Sequence, residues 1–195
     1  MTDPITLAQD LAARICHDLG GPVGMVAGML DLAPDAEALA TAREGAAELR
    51  RRLLLWRAAA GGAGPVPLSD LAPLTQGLLA GGRATLAVAA ESAPRAEAGR
   101  LLLLAAMVAG EALPKGGAVE IAAAGEGFVV LADGPLLRWP PALLAGLAGE
   151  DVEAGPRSVL PRLLLSLASA QGWRVELLME ASGAAAVLFL APPAG

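Results

Sequence analysis

The only histidine of the chain, His17, is followed directly by an acidic residue, Asp18. Neutral imidazole is a competent nucleophile near pH 7, because its ordinary pKa is about 6.5. A neighbouring carboxylate can hydrogen-bond the ring, fix its tautomer or take its proton. Any chemistry that needs an imidazole must therefore take place here. The alternative is a solvated pair on a helix surface, and the sequence leaves both roles of Asp18 open.

The segment that positions His17 has the pattern of an amphipathic helix. Apolar residues at helical spacing fall within an arc of about 120° on a helical wheel, which predicts a core stripe. The stripe consists of Leu11, Ile15, Leu19, Pro22, Val23, Val26 and Leu30. His17 falls on the opposite half of the wheel, so its ring is predicted to point away from the core. Cys16 is predicted to flank the core as a small apolar residue.

Four glycines share the outward half of this helix with the histidine, namely Gly20, Gly21, Gly24 and Gly28. Each glycine costs about 1 kcal/mol relative to alanine in a helix interior, so helix formation does not explain them. A surface without side chains would let another macromolecule bring a reactive group up to the imidazole. We therefore predict that the glycines, together with Arg14, form a face on which a partner docks.

The run Arg14-Ile15-Cys16-His17-Asp18-Leu19, followed by Pro22-Val23-Gly24, resembles the phosphoacceptor box of sensor histidine kinases. It resembles more closely the ChpT-type histidine phosphotransferases of bacterial cell-cycle phosphorelays. The shared features are a histidine, an acid and a leucine, with a proline five positions after the histidine. The resemblance implies that His17 carries a phosphoryl group between the aspartates of receiver domains. It also implies that the partner receiver supplies Mg²⁺ and a lysine, while this chain binds no cofactor.

Two helices are predicted in residues 1–60. The first runs from about residue 5 to 33, and Pro34-Asp35 separates it from a second helix that begins near Ala36. The second helix ends at the breaker cluster of residues 61–65, and its apolar side consists of Leu39, Ala42, Ala46, Leu49, Leu53, Trp56 and Ala60. A short turn makes the helices antiparallel. Because one hairpin cannot enclose a core, we predict a homodimer that forms a four-helix bundle.

A cluster of arginines lies opposite the histidine in this hairpin. Reflecting the first helix about the turn brings His17 level with position 50, where Arg50, Arg51 and Arg52 follow one another. A positive rim at this level would attract an acidic partner and steady phosphoryl charge. We predict that Arg50 and Arg51 take part in docking, and the alternative is a solvated charged face.

Residues 68–195 are predicted to form a second domain, after a linker over residues 61–67. The predicted helices cover 71–79, 96–113, 140–147 and 158–170, and the predicted strands cover 85–89, 118–124, 127–132, 174–179 and 184–190. The last two strands are predicted to form a hairpin around residues 181–183. This order predicts an α+β fold, in which helices cover one face of a mixed sheet.

Most of residues 66–191 resemble the ATP-binding domain of histidine kinases. Residues 101–117 are similar to its signature helix and the turn after it, and residues 158–175 are similar to its last helix and the following strand. The nucleotide boxes are reduced to Asp133-Gly134-Pro135-Leu136 and Gly155-Pro156-Arg157-Ser158, and the chain contains no asparagine. Backbone amides of glycine-rich loops hold nucleotide phosphates. We therefore predict a degenerate kinase domain that does not bind ATP, with Asp133 as a turn residue.

Composition restricts the partners and the compartment. Fourteen basic and twenty acidic residues give a net charge of −6, which disfavours nucleic acid and favours a protein partner. A single cysteine cannot form an internal disulfide and indicates a reducing compartment. The start of the chain lacks a signal-peptide pattern, and no apolar run reaches the length of about 18 to 20 residues that spans a bilayer. We expect a cytoplasmic protein without a membrane segment.

These patterns together predict a histidine phosphotransferase and not an ATP-dependent kinase. Its partners would be the receiver domains of a hybrid histidine kinase and of response regulators, with the phosphoryl group passing through His17. The alternative is a dimeric adaptor that binds response regulators while its histidine no longer reacts.

Overall fold

The computed structural model describes residues 3–32, 35–89, 98–179 and 186–193. Two long helices come first, α1 over Pro4–Asp31 and α2 over Ala36–Ala59. Asp3 accepts hydrogen bonds from the backbone N–H groups of Ile5 and Thr6, and Asp35 accepts one from Glu37. Short acidic side chains satisfy N–H groups that the first turn of a helix leaves unpaired, which fixes where both helices begin.

The two helices pack antiparallel through small residues. Arg52 of α2 lies level with Asp18, whereas Gly45 lies against Met25 and Val26. A Cβ atom at Gly45 would lie 2.6 Å from the Cε of Met25 and 3.0 Å from the Cγ2 of Val26, so glycine permits this close approach. The buried residues of α2 are Ala38, Ala42, Gly45, Leu55, Trp56, Ala58 and Ala59.

The apolar faces predicted for the hairpin are only partly covered within one chain. Pro22 of α1 is buried, but Val23 and Leu30 are 49% and 51% exposed. The half-buried members of the α1 stripe are Leu11, Ile15, Leu19 and Val26. Within a single chain, Val23, Leu30 and, on α2, Leu53 are therefore not core residues, because the neighbours of the two helices, three later helices of the chain included, leave this part of the hairpin uncovered. Cys16 is also exposed, contrary to its predicted place beside the core.

The rest of the described chain forms a mixed sheet with helices. Its elements are α3 (Leu68–Thr75), a short 3₁₀ turn (Leu79–Gly82), β1 (Ala84–Val88), α4 (Gly99–Glu111), β2 (Gly117–Ala124), β3 (Gly127–Asp133), α5 (Pro141–Leu147), α6 (Val159–Ala170), β4 (Arg174–Met179) and β5 (Ala186–Ala191). The strand order is β1-β2-β3-β5-β4. β1 and β2 pair in parallel, and the other neighbours pair antiparallel.

The predicted α+β fold is confirmed, with a helical N-terminal region followed by a mixed five-stranded sheet. The predicted helix over 71–79 is shifted, because α3 begins and ends earlier and a 3₁₀ turn follows it. The turn predicted around residues 181–183 lies outside the described residues. Among the described residues, no helix combines the length and the apolar character needed to cross a bilayer.

Helix α4 forms the centre of the core. All its residues from 101 to 110 are buried between the sheet, α3 and α6. Phe128 of β3 stacks on Trp173 with 6.2 Å between ring centroids, and both residues belong to the buried core. Glu111, the last residue of α4, leaves this apolar environment and contacts α1. Helix α4 thus connects the core of the sheet region to α1, the helix that carries His17.

Candidate functional site

His17 stands on the surface of α1, with 84% of its side chain exposed. Its Nδ1 atom lies 3.1 Å from Oδ1 of Asp18, whose side chain is only 19% exposed. A carboxylate accepts hydrogen bonds but cannot donate them, so a hydrogen bond here requires Nδ1 to carry the proton. The lone pair of the neutral ring is then on Nε2. The site can therefore offer a nucleophilic nitrogen on an open surface.

Arg14, one helical turn before Asp18, connects this pair to the sheet region. Its Nε donates to both carboxylate oxygens of Asp18 at 3.2 Å. Its Nη2 donates to Oε1 of Glu111 at 2.8 Å, and its Nη1 donates to the carbonyl oxygen of Pro156 at 3.3 Å. The guanidinium fork thus bonds its own helix, the end of α4 and the segment before α6 at the same time.

Burial and charge act against each other in this cluster. Burial raises the pKa of the Glu111 carboxyl above its ordinary value, although the charge and hydrogen bond of Arg14 oppose the rise. Burial lowers the pKa of Arg14, but the carboxylates of Glu111 and Asp18 outweigh it, so that the pKa of Arg14 is raised overall. Arg14 is therefore a permanent cation, whereas burial disfavours the ionised form of Glu111.

The raised pKa of Glu111 predicts a pH dependence of stability. An acid whose pKa rises on folding binds its proton more tightly in the folded state, so the free energy of unfolding falls as the pH rises through the interval above the ordinary pKa of 4.5. We expect Glu111→Gln, which cannot ionise, to lack this fall and to be at least as stable as the wild type at about pH 7. Urea unfolding at several pH values measures the difference, with the exposed Glu150→Gln as a control. Parallel curves of the free energy of unfolding against pH for Glu111→Gln and the wild type would contradict this prediction.

The four predicted glycines all lie on the exposed side of α1. A Cβ atom built at Gly20, Gly21, Gly24 or Gly28 would meet no described atom within 4 Å. At about 100° per residue, all four lie within about 60° of the direction of His17. They extend a smooth strip from the imidazole towards the C-terminal end of α1. Their role in docking stays a prediction.

The three arginines of α2 differ in what they contact. Arg50 and Arg51 are exposed. Arg52 donates from Nη1 to the carbonyl oxygen of Asp18 at 3.3 Å, and it pairs with Glu48 at 2.6 Å. The level predicted from the hairpin is thus only approximate, since the contact with α1 is made by Arg52 and not by Arg50. Consecutive residues of a helix point about 100° apart, so Arg50 and Arg51 do not face α1 in the same way. The docking role predicted for Arg50 and Arg51 stays a prediction.

A groove of about 1190 Å³ opens beside His17. On one side it is lined by α1, including Arg14, His17 and Asp18, and on the other by the start of α5 and by residues 151–158. The second side is fixed to α1, since the N–H of Gly155 donates to Oδ2 of Asp10 at 2.8 Å. Arg162 of α6, which is buried, pairs with the same carboxylate of Asp10. The segment that resembles a reduced nucleotide lid is therefore bound to the histidine helix.

The sequence analysis missed three residues of this region, Asp10, Glu111 and Arg162, and it named Arg52 in the arginine cluster without predicting its contact with α1. Only Glu111 gives a signal, as the one charged residue in the apolar run 101–113. A charge that ends a buried helix requires a partner. Asp10 and Arg162 stand 152 positions apart, and nothing local in the sequence pairs them. Within the described ranges, no three His, Cys, Asp or Glu side chains come together as a metal site.

Comparison with known proteins gives a family match and matches to several solved structures, two of which are described below. Residues 68–183 match the family model of the histidine phosphotransferase C-terminal domain. The chain is similar to the solved structure of a bacterial phosphotransferase, with 26% identity and a TM-score of 0.79 over 97% of both chains. A blue-light activated histidine kinase from Erythrobacter litoralis, EL346, matches at 16% identity and a TM-score of 0.46, over 99% of this chain and 61% of that one. No curated protein matches the sequence significantly.

Proposed function

The chain belongs to the histidine phosphotransferase family, and from this premise we propose that it shuttles a phosphoryl group between receiver-domain aspartates of a bacterial two-component phosphorelay. The phosphorylated residue is His17. The observation that carries this proposal is an exposed imidazole whose Nδ1 is occupied by Asp18, so that Nε2 is the nucleophile. The partners are the receiver domains of a hybrid histidine kinase and of response regulators, and the protein acts in the cytoplasm.

In the proposed step, the lone pair of Nε2 attacks the phosphorus of an aspartyl phosphate on the partner. The N–P bond forms while the bond from phosphorus to the aspartyl oxygen breaks, and the electron pair of that bond stays on the partner's carboxylate. The ring becomes positively charged, and Asp18 stabilises this charge by accepting the Nδ1–H hydrogen bond. The same step in reverse delivers the group to a second receiver. Because phosphoryl transfer depends mainly on position and charge, the open surface around His17 is an essential part of the proposal.

Magnesium and a lysine are assigned to the partner receiver in this proposal. Within the part of the chain that the structure describes, no group of three or more His, Cys, Asp or Glu side chains could hold a metal ion. Arg14 is a cation in contact with Asp18, but its ion pairs with Asp18 and Glu111 occupy it. The chain therefore contributes the nucleophile and its acidic neighbour, and the partner contributes the groups that neutralise phosphoryl charge.

We also propose that residues 1–60 form a homodimer as a four-helix bundle. Val23 and Leu30 on α1, with Leu53 and Leu54 on α2, are between 45% and 51% exposed. Burial of apolar surface contributes about 25 cal/mol per Å², so a second hairpin on these side chains would stabilise the protein. Two hairpins complete the core that one hairpin lacks.

The domain over residues 68–195, which follows the linker 61–67, is proposed to have lost nucleotide binding. In addition to the missing boxes, the reduced lid segment uses its backbone to bind α1. The Gly155 N–H donates to Asp10, and the carbonyl oxygen of Pro156 accepts from Arg14. An N–H group that already donates to a carboxylate is not available for a phosphate. In this proposal the protein carries a phosphoryl group and is not an ATP-dependent kinase.

The experiment that tests the function is a transfer assay with three purified components. A receiver of a hybrid histidine kinase carrying radiolabelled phosphate is mixed with the receiver of a response regulator, with or without this chain. We expect label to reach the second receiver only when the chain is present. The chain itself should carry label transiently as a phosphoramidate, which is stable in base and labile in acid. Binding of both receivers with no label on the chain would contradict the proposal and favour the adaptor.

A further inference from the structure

Glu111 occupies a position at which its own helix disfavours a negative charge. It is the last residue of α4, where the helix dipole disfavours a negative charge. The residues one turn before it on the same helix, Met107 and Val108, offer no counter-charge. Burial also raises the pKa of its carboxyl, which means that the surroundings disfavour the ionised form. Nothing in α4 stabilises this charge, so the role of the acid depends on its contacts outside the helix.

The contacts of Glu111 lead directly to the histidine. Its Oε1 accepts from Nη2 of Arg14 at 2.8 Å, and Nε of the same guanidinium lies 3.2 Å from each carboxylate oxygen of Asp18. Asp18 in turn lies 3.1 Å from Nδ1 of His17. Because the guanidinium is planar and rigid, a partner that holds one end fixes the direction in which the other end donates. An unbroken chain of contacts therefore leads from a residue of α4 to the imidazole.

We propose that Glu111 is a positioning residue for His17, acting through Arg14 and Asp18. By holding the guanidinium, Glu111 keeps the Asp18 carboxylate against Nδ1, which keeps the proton on Nδ1 and the lone pair on Nε2. The purpose of this arrangement rests on the proposed function, but the arrangement itself can be tested without a partner. It gives the sheet region a role in the chemistry of the histidine, although that region lacks the nucleotide boxes of a kinase.

A second bridge between α1 and the sheet region provides a matched control. Asp10 binds Arg162 and the N–H of Gly155, and it therefore also holds the sheet region against the hairpin. None of its described contacts involves Arg14 or Asp18. If the tautomer of His17 depended only on contact between the two regions, loss of the Asp10 bridge would change it as much as loss of Glu111. If Glu111 acts through Arg14, the two changes have different effects.

The test is nitrogen-15 NMR of the imidazole, which reports the tautomer of a single ring because the chain has one histidine. Spectra are recorded on the complete protein at about pH 8.5, where an ordinary imidazole is neutral. We expect the Nδ1–H form to dominate in the wild type. In Glu111→Ala the ratio of the Nδ1–H form to the Nε2–H form should fall by about fivefold or more, which corresponds to one hydrogen bond. Glu111→Gln should stay close to the wild type, since its amide oxygen still accepts from Arg14.

Asp10→Asn is expected to leave the tautomer ratio unchanged. Arg14→Ala should reproduce the shift of Glu111→Ala, and the double variant should add nothing further. In the transfer assay, Glu111→Ala should be slower by no more than about the factor by which the tautomer ratio falls, because the nucleophile is less often in its reactive form.

An unchanged tautomer ratio in Glu111→Ala would overturn the proposal, as would an equal shift in Asp10→Asn. Should Glu111→Ala fail to fold, the same measurement is made on Arg14→Ala, which leaves α4 intact. An unchanged tautomer ratio in Arg14→Ala would also overturn the proposal. The NMR measurement needs no receiver, so its outcome is independent of whether phosphoryl transfer is found.

Discussion

Replacing His17 with glutamine is expected to abolish transfer between receivers while leaving the fold and the docking of partners intact. Glutamine has no nucleophilic nitrogen, but its amide N–H can still donate to Asp18. Because 84% of the His17 side chain is exposed, the free energy of unfolding should change by no more than about 0.5 kcal/mol. Label on the chain and on the second receiver measures transfer, and titration with an unphosphorylated receiver measures docking.

The adjacent residue supplies the control for this substitution. Cys16 is exposed on the same helix and is the other soft nucleophile at the site, so Cys16→Ser should transfer at the wild-type rate. Transfer that persists in His17→Gln would remove the proposal that this ring carries the phosphoryl group. Loss of receiver docking in His17→Gln would instead mean that the imidazole is a contact residue, as in the adaptor hypothesis.

Much of the architecture around His17 follows from local sequence rules. Asp3 and Asp35 precede the two helices as N-caps, and the glycine strip lies outward as the helical period requires. The strands over 117–124 and 127–133 and the helix over 159–170 begin and end near their predicted bounds, because alternation, turns and breakers are short-range signals. The length of the hairpin gives the level at which α2 meets α1 near His17 only approximately, since Arg52 and not Arg50 makes the contact.

The parts that the sequence does not predict depend on tertiary contacts. Val23 and Leu30 have the periodicity of core residues, but periodicity cannot tell a face covered by the same chain from one left exposed. Which arginine faces α1 depends on the rotation of α2, and a helical wheel does not fix that rotation relative to a neighbour. The contact of Arg14 with Glu111 spans 97 positions, and it exists only because α4 ends beside α1.

The second large effect is expected for Gly21→Leu, which should slow transfer by at least about a hundredfold without weakening the fold. Gly21 lies one turn after His17, about 40° from its direction on the helix. In-line transfer requires the reacting atoms to approach within about 3 to 3.5 Å, and a leucine beside the ring would hold the partner away. A Cβ at this position meets no described atom within 4 Å, and removing a helical glycine stabilises a helix by up to about 1 kcal/mol. Transfer rates, receiver titration and urea unfolding of the same preparation measure all three quantities.

Two related variants separate docking from helix stability. Gly21→Ala should give a similar gain in stability with a much smaller loss of transfer, because a methyl group projects less than an isobutyl group. Gly28→Leu lies about 10 Å further along the helix from Gly21, so it should stabilise α1 equally and slow transfer less. Wild-type transfer in Gly21→Leu would refute the idea that missing side chains admit the partner. A large loss of stability in Gly21→Leu would show that the glycine is required by packing, for example against a second hairpin, and that the strip is not open to receivers.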